Sequence, residues 1–104
     1  MRFLSPILAA LAILGTVPAA AQEVSDGVKR TCRSVSAQTA RTIVYALRSN
    51  IDPAIQVKKV ADTWLEGVQT HMLLAASRAP HLSEEELAAL GYSYCVARRP
   101  SESR

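Results

Sequence analysis

The sequence has little of what most enzymes and metalloproteins need. Histidine and cysteine occur only twice each in 104 residues. There is no C-x-x-C, no H-E-x-x-H and no glycine-rich phosphate loop. Two thiols with His71 and His81 do not stand at the local spacings of a structural zinc site, so neither a metal nor a cofactor is expected. A nucleophile, a base and an orienting group are equally hard to assemble. The serines fall at caps, turns or polar faces. Asp62 and Glu66 lie one turn apart and have the look of a carboxylate pair, but lysines stand nearby and salt pairing explains them. No enzyme is expected. Charge of one sign is also lacking: twelve Lys and Arg against nine Asp and Glu make no case for a nucleic-acid partner.

What is present begins with a leader. Met1 and Arg2 are followed by the apolar run FLSPILAALAILGTV, then by Pro18 and three alanines. A basic start, an apolar middle and small residues at Ala19 and Ala21 form an export signal, with cleavage expected after Ala21. The run is short for a membrane span and is interrupted or bounded by Pro6, Gly15 and Pro18. No cysteine at the cleavage site offers a lipid anchor. Removing residues 1–21 leaves 83 residues, eleven of them basic and nine acidic, for a mature charge of about +2. That length supports one domain, residues 22–97, with a flexible tail over 98–104 and no transmembrane segment. The expected location is periplasmic or secreted.

Few glycines and prolines divide the mature chain, and it shows no repeat. The expected fold is all-α: a compact array of three helices, the third shorter and tilted. In the first helix, from about Ser25 to Ser49, Val28, Cys32, Val35, Thr39, Ile43 and Ala46 recur at steps of three and four and share about 80° of arc. Arg30, Arg33, Arg41 and Arg48 form a stripe on the opposite side. Asp52 and Pro53 start the second helix as N-cap and first residue. It is expected to run on without a break, with Val57, Val60, Ala61, Trp64, Val68, Met72 and Ala75 inward, and with Trp64 as core anchor. Lys59, Asp62, Glu66 and Gln69 are expected on its polar side, and Lys58 is placed to pair with Asp62. Leu73 and Leu74 point away from the apolar face and are expected to meet another helix end or leave an apolar spot. The third start is the sharpest signal: in LSEEEL, Ser83 and Glu86 have capping-box spacing, with Leu82 and Leu87 as a hydrophobic staple. His71, at the edge of the second apolar face, is expected to be a buried, hydrogen-bonded structural imidazole.

Cys32 and Cys95 both fall on inward faces, and two cysteines in an exported chain with little core predict one disulfide. In an up-down-up bundle they do not meet. Measured from one end, Cys32 stands about 9 Å along its helix and Cys95 about 17 Å along its own, whereas a disulfide spans about 7 Å at most between Cα atoms. A tilted or lowered third helix is the expected remedy.

In leader, size, helicity and cysteine number the chain is similar to acid-stress chaperones of the bacterial periplasm, but no motif carries functional residues across. The expected function is a small interaction protein (inhibitor, immunity or chaperone-like) that is a monomer or weak homodimer. Its expected docking surface is Arg30, Arg33, Arg41 and Arg48 with Tyr45, and its expected partner is an envelope protein or anionic envelope component. The alternative is a carrier of a small apolar ligand held near Trp64, Met72 and Tyr94. The exported chain is expected to begin at Gln22 with an intramolecular Cys32–Cys95 bridge. Intact-mass measurement without reductant should show the loss of two hydrogens; free thiols or a covalent dimer as the main species refute it.

Overall fold

The computed structural model describes residues 23–101, so the expected leader lies outside the described residues. The described residues form four helices, three of them long, and no strand: α1 (Asp26–Arg48), α2 (Pro53–Gln56), α3 (Thr63–Arg78) and α4 (Glu84–Ala97). The all-α expectation holds, and α4 is the shortest of the three long helices.

Each long helix starts on a side-chain cap. Ser25 Oγ accepts from Val28 N at 3.1 Å, Asp62 Oδ1 from Leu65 N at 3.0 Å, and Ser83 Oγ from Glu86 N at 3.1 Å. At the last of these, Ser83 N also donates to Glu86 Oε1 at 2.8 Å, completing the capping box. Helix α1 ends on Asn50, whose φ of 58° is the left-handed position that asparagine tolerates. Two reversed bonds accompany it, Asn50 N to Leu47 O and Ile51 N to Ala46 O, so these two carbonyls of the last turn are satisfied before the chain turns.

The expected continuous second helix is corrected. After the single turn of α2 the chain is not helical over residues 57–62, and helix resumes only at Thr63. The cause is a second N-cap ten residues after Asp52: Asp62 is extended (φ −117°, ψ 123°) and caps α3 rather than pairing with Lys58. Gln69, expected on the polar side, is buried. Its Oε1 accepts from Val60 N at 3.0 Å, and its Nε2 donates to Lys58 O at 3.1 Å and to Thr39 Oγ1 at 3.5 Å. One amide thus supplies the partners that two backbone groups of the connector lack.

This connector sets the topology. Val57 shares a surface depression with Thr39 and Thr42, and Leu65 shares the next one with Arg30 and Thr31, so the chain descends along α1 before α3 begins. Six extended residues reach about 20 Å, enough to match the roughly 16 Å of helix between Thr31 and Thr42. Helix α3 therefore runs parallel to α1, and α4 returns antiparallel to both. Glu84 stands against Arg41, Tyr92 against Arg33 and Cys95 against Cys32. The steps from 41 to 32 on α1 and from 84 to 95 on α4 differ by only about 3 Å of rise. The length mismatch foreseen for an up-down-up bundle thus disappears, because Cys32 near the start of α1 and Cys95 near the finish of α4 lie at the same end of the molecule. Their Cα atoms are 5.6 Å apart and the bridge forms.

The core is small. Ile43, Val68, Met72 and Leu87 are its largest fully buried apolar side chains, packed with the disulfide. Trp64 is not the central anchor expected; it is half-buried at the margin and donates from Nε1 to Cys95 O at 3.0 Å. Cys32, Ser36 and Ala40, small and buried at every fourth position, let α4 lie close to α1. The Ser36 hydroxyl is buried there without a hydrogen-bond partner among the described residues.

Replacing Gln69 with leucine should strand the Val60 N–H and Lys58 C=O and destabilise the fold by about 2 kcal/mol. For a domain of this size that lowers the melting temperature by roughly 8–16 °C. The amide of Val60 should lose hydrogen-exchange protection at the same time. An unchanged melting temperature with Val60 still protected would show that the connector is held by something else.

Candidate functional site

The four stripe arginines are all exposed, as their position opposite the apolar face requires. The structure divides them by what α4 brings alongside. Arg33 lies with its guanidinium carbon 5.8 Å from the centroid of the Tyr92 ring. That contact fixes a planar donor fork against an aromatic face while its N–H groups stay open to solvent. Arg41 Nε lies 3.9 Å from Glu84 Oε2, with both side chains substantially exposed, a pair worth a few tenths of a kcal/mol. Arg48 closes the last turn of α1 and shares a shallow depression of about 360 Å³ with His81, Ser83 and Glu85. Arg30 has no ion-pair partner among the described residues.

Helix α4 thus presents opposite chemistry to the two halves of the stripe. Its acidic first turn, Glu84 to Glu86, stands near Arg41 and Arg48, whereas Tyr92 stands near Arg33. Tyr45 is 58% exposed beside the stripe. Val44, next to Tyr45 in the chain, belongs to the core, because α4 covers that side of α1.

Trp64, Met72 and Tyr94 all lie along the contact of α3 with α4, each packed against a different partner. Met72 is fully buried against Gly91, where an added Cβ would collide with the Met72 side chain. Tyr94 stacks on His71, with centroids 3.9 Å apart and planes within 8°, and the Arg98 guanidinium lies 4.7 Å from the same ring centroid. His71 is therefore half-buried and stacked rather than enclosed and hydrogen-bonded. The first residues of the expected tail are tied down. Arg98 lies over Tyr94, and Arg99 donates to Val96 O at 2.7 Å and to Glu23 O at 3.4 Å. Among the described residues no group of three His, Cys, Asp or Glu side chains is placed to hold a metal ion.

What sequence reasoning missed is the Tyr92 contact. The signal was the YSYC stretch itself, but only the direction of α4 decides which tyrosine meets α1. Comparison with known protein families, with curated proteins and with solved structures finds no match to this chain.

The acidic turn also makes a pH-dependent contribution. The Ser83 backbone N–H, and then the Ser83 side chain, hold the Glu86 carboxyl below its ordinary 4.5; nearby His81 acts in the same direction. A lowered carboxylate stabilises the fold above its ordinary value, and that stabilisation is lost as pH falls through the lowered one. The advantage in melting temperature of the parent over Glu86→Gln, followed from about pH 6 to about pH 3, should therefore persist to about 4.5 and shrink below it. A difference that stays constant over the whole range would remove the charge of Glu86 from the capping box.

Proposed function

We propose that this chain is a small exported interaction protein of the inhibitor, immunity or chaperone-like kind. It docks an acidic protein or another anionic component of the cell envelope through the basic face of α1. The observation that carries the reading is the separation of duties on α1. One side supplies the buried residues that pack against α3, α4 and the disulfide, and the other leaves four guanidiniums exposed, of which Arg33 and Arg41 touch only the edge of α4. Arg33 is steadied over Tyr92, which lowers the ordering loss when it meets a carboxylate or phosphate. Arginine and tyrosine are also the residues that most often dominate protein interfaces. The disulfide suits an oxidising compartment, and no helix among the described residues is long and apolar enough to cross a membrane. The arginines act by recognition, with no catalytic role assigned.

The docking surface centres on Arg30 and Arg33, because Arg41 is already partly neutralised by Glu84. Replacing all four stripe arginines with glutamine should leave the melting temperature nearly unchanged. Capture from the native envelope by the parent should recover a component that this variant loses. Binding of that component at about 50 mM and about 300 mM salt should be weaker in the variant and less sensitive to salt, since rim charges act mainly on association rate and screening. Equal binding by parent and variant at both salts would reduce the stripe to a solvated helix face.

A further inference from the structure

A further concave surface lies at the end of the molecule away from the disulfide, and nothing in the docking reading uses it. Between the last turn of α1, the single turn of α2 and the outer side of α3 is a groove of about 470 Å³. That is within the range of small-molecule sites. Its walls are apolar: Leu47, Pro53, Ala54, Leu73 and Leu74. Leu74 remains 50% exposed there, which identifies the apolar spot foreseen for Leu73 and Leu74. The groove exists because α2 stops after one turn and Val57 turns into the core, so α2 stands off from α3 and meets the gap with Pro53 and Ala54 alone.

We propose that this groove binds a small apolar molecule carrying an amine or hydroxyl head. Size argues against a protein occupant: nine residues line the groove, whereas a stable protein interface engages roughly 20–30 a side. The volume accommodates roughly fifteen non-hydrogen atoms, at about 30 Å³ for a water-sized group. Charge selects the head. Asp52 is the only charged residue in the lining. One of its oxygens accepts from Ala54 N at 3.0 Å, which leaves the other for a donor on the ligand. Thr70 and Ser77 add hydroxyls along the α3 side. The nearest ammonium on that side, Lys59, lies 3.3 Å from the Thr70 hydroxyl and is paired with Glu66 at 3.4 Å, so it does not call for a carboxylate head. The site expected near Trp64, Met72 and Tyr94 is filled by those side chains themselves, which moves the carrier reading to this groove.

The test uses the full disulfide-bonded chain with decylamine, decanol and decanoate below their aggregation limits, followed by backbone amide shifts. Decylamine and decanol should shift the amides of Ala54, Thr70, Leu73, Leu74 and Ser77, and decanoate should bind about tenfold more weakly than decylamine. The preference for the amine is diagnostic, because the chain's net positive charge draws decanoate non-specifically. Asp52→Asn keeps a good N-cap and should cut that preference to about threefold or less. Ala54→Trp fills the groove from an exposed position and should weaken decylamine and decanol about tenfold, with Leu74→Gln as an independent second variant. The proposal is overturned if none of the three probes shifts these amides, or if Ala54→Trp and Leu74→Gln both bind decylamine as the parent does. The proposal is equally overturned if the same amides shift with protein concentration alone and Ala54→Trp abolishes that shift, since the groove is then a contact between copies.

Discussion

A backbone that leaves a helix and runs extended exposes N–H and C=O groups that must find partners or water. Between Val57 and Asp62 two of those groups find the Gln69 side chain, which holds the connector from α3 and reaches Thr39 on α1 at the same time. The direction of everything that follows depends on this amide. With the connector laid down along α1, α3 has to start at the disulfide end and climb, and α4 has to descend. Had residues 57–62 been helical, the second segment would have run antiparallel to α1 and the third parallel. Cys32 and Cys95 would then have stood at different heights.

The same reversal decides the electrostatics of the α1 surface. An antiparallel α4 lays its acidic N-terminal turn beside the C-terminal half of α1 and Tyr92 beside the N-terminal half. The two helix dipoles also oppose one another, the favourable arrangement for neighbours. A parallel α4 would have set Glu84, Glu85 and Glu86 near Arg30 and Arg33 instead, and the uncompensated arginines would be Arg41 and Arg48. The proposed centre of docking is thus a consequence of chain direction, although every residue in it belongs to one continuous helix.

How much of this was legible varies with the range over which each signal acts. The α1 faces, the Asp52 and Ser83 caps, the Ser83–Glu86 box and the inward cysteines rest on spacings of a few residues, and all are found in the structure. The break after Gln56 was hidden because Val57, Val60, Ala61 and Trp64 keep helical spacing across it, so periodicity argued for continuity. Asp62 before Thr63 was the available cue, but a carboxylate four residues from Lys58 also fits an intrahelical pair. Gln69 was misplaced for a related reason. A glutamine reads as surface until its amide has backbone groups to satisfy, and those exist only once the connector is extended. At the candidate site the arginine stripe was legible as a stripe. Its pairing with Glu84 and Tyr92 was not, because it depends on the direction of α4.

Two devices hold this thin core, and they act on different states of the chain. The Cys32–Cys95 bridge spans 63 positions and is worth about 4 kcal/mol in the chain-entropy account. That contribution comes from restricting the unfolded ensemble, so it favours any compact arrangement in which the two cysteines meet. It does not choose the direction of α3. Gln69 contributes less energy but distinguishes the native path, because only an extended connector presents Val60 N and Lys58 O to one amide. The bridge also lies at the end where Trp64 Nε1 bonds Cys95 O and Arg99 bonds Glu23 O. The opposite end, with the single turn of α2 and the exposed Leu74, has no covalent tie among the described residues. Local opening should therefore begin at α2, where few buried contacts hold the backbone. A groove whose wall opens first admits a ligand without disturbing the bridge, and a ligand seated there stabilises the part of the fold that the bridge reaches least.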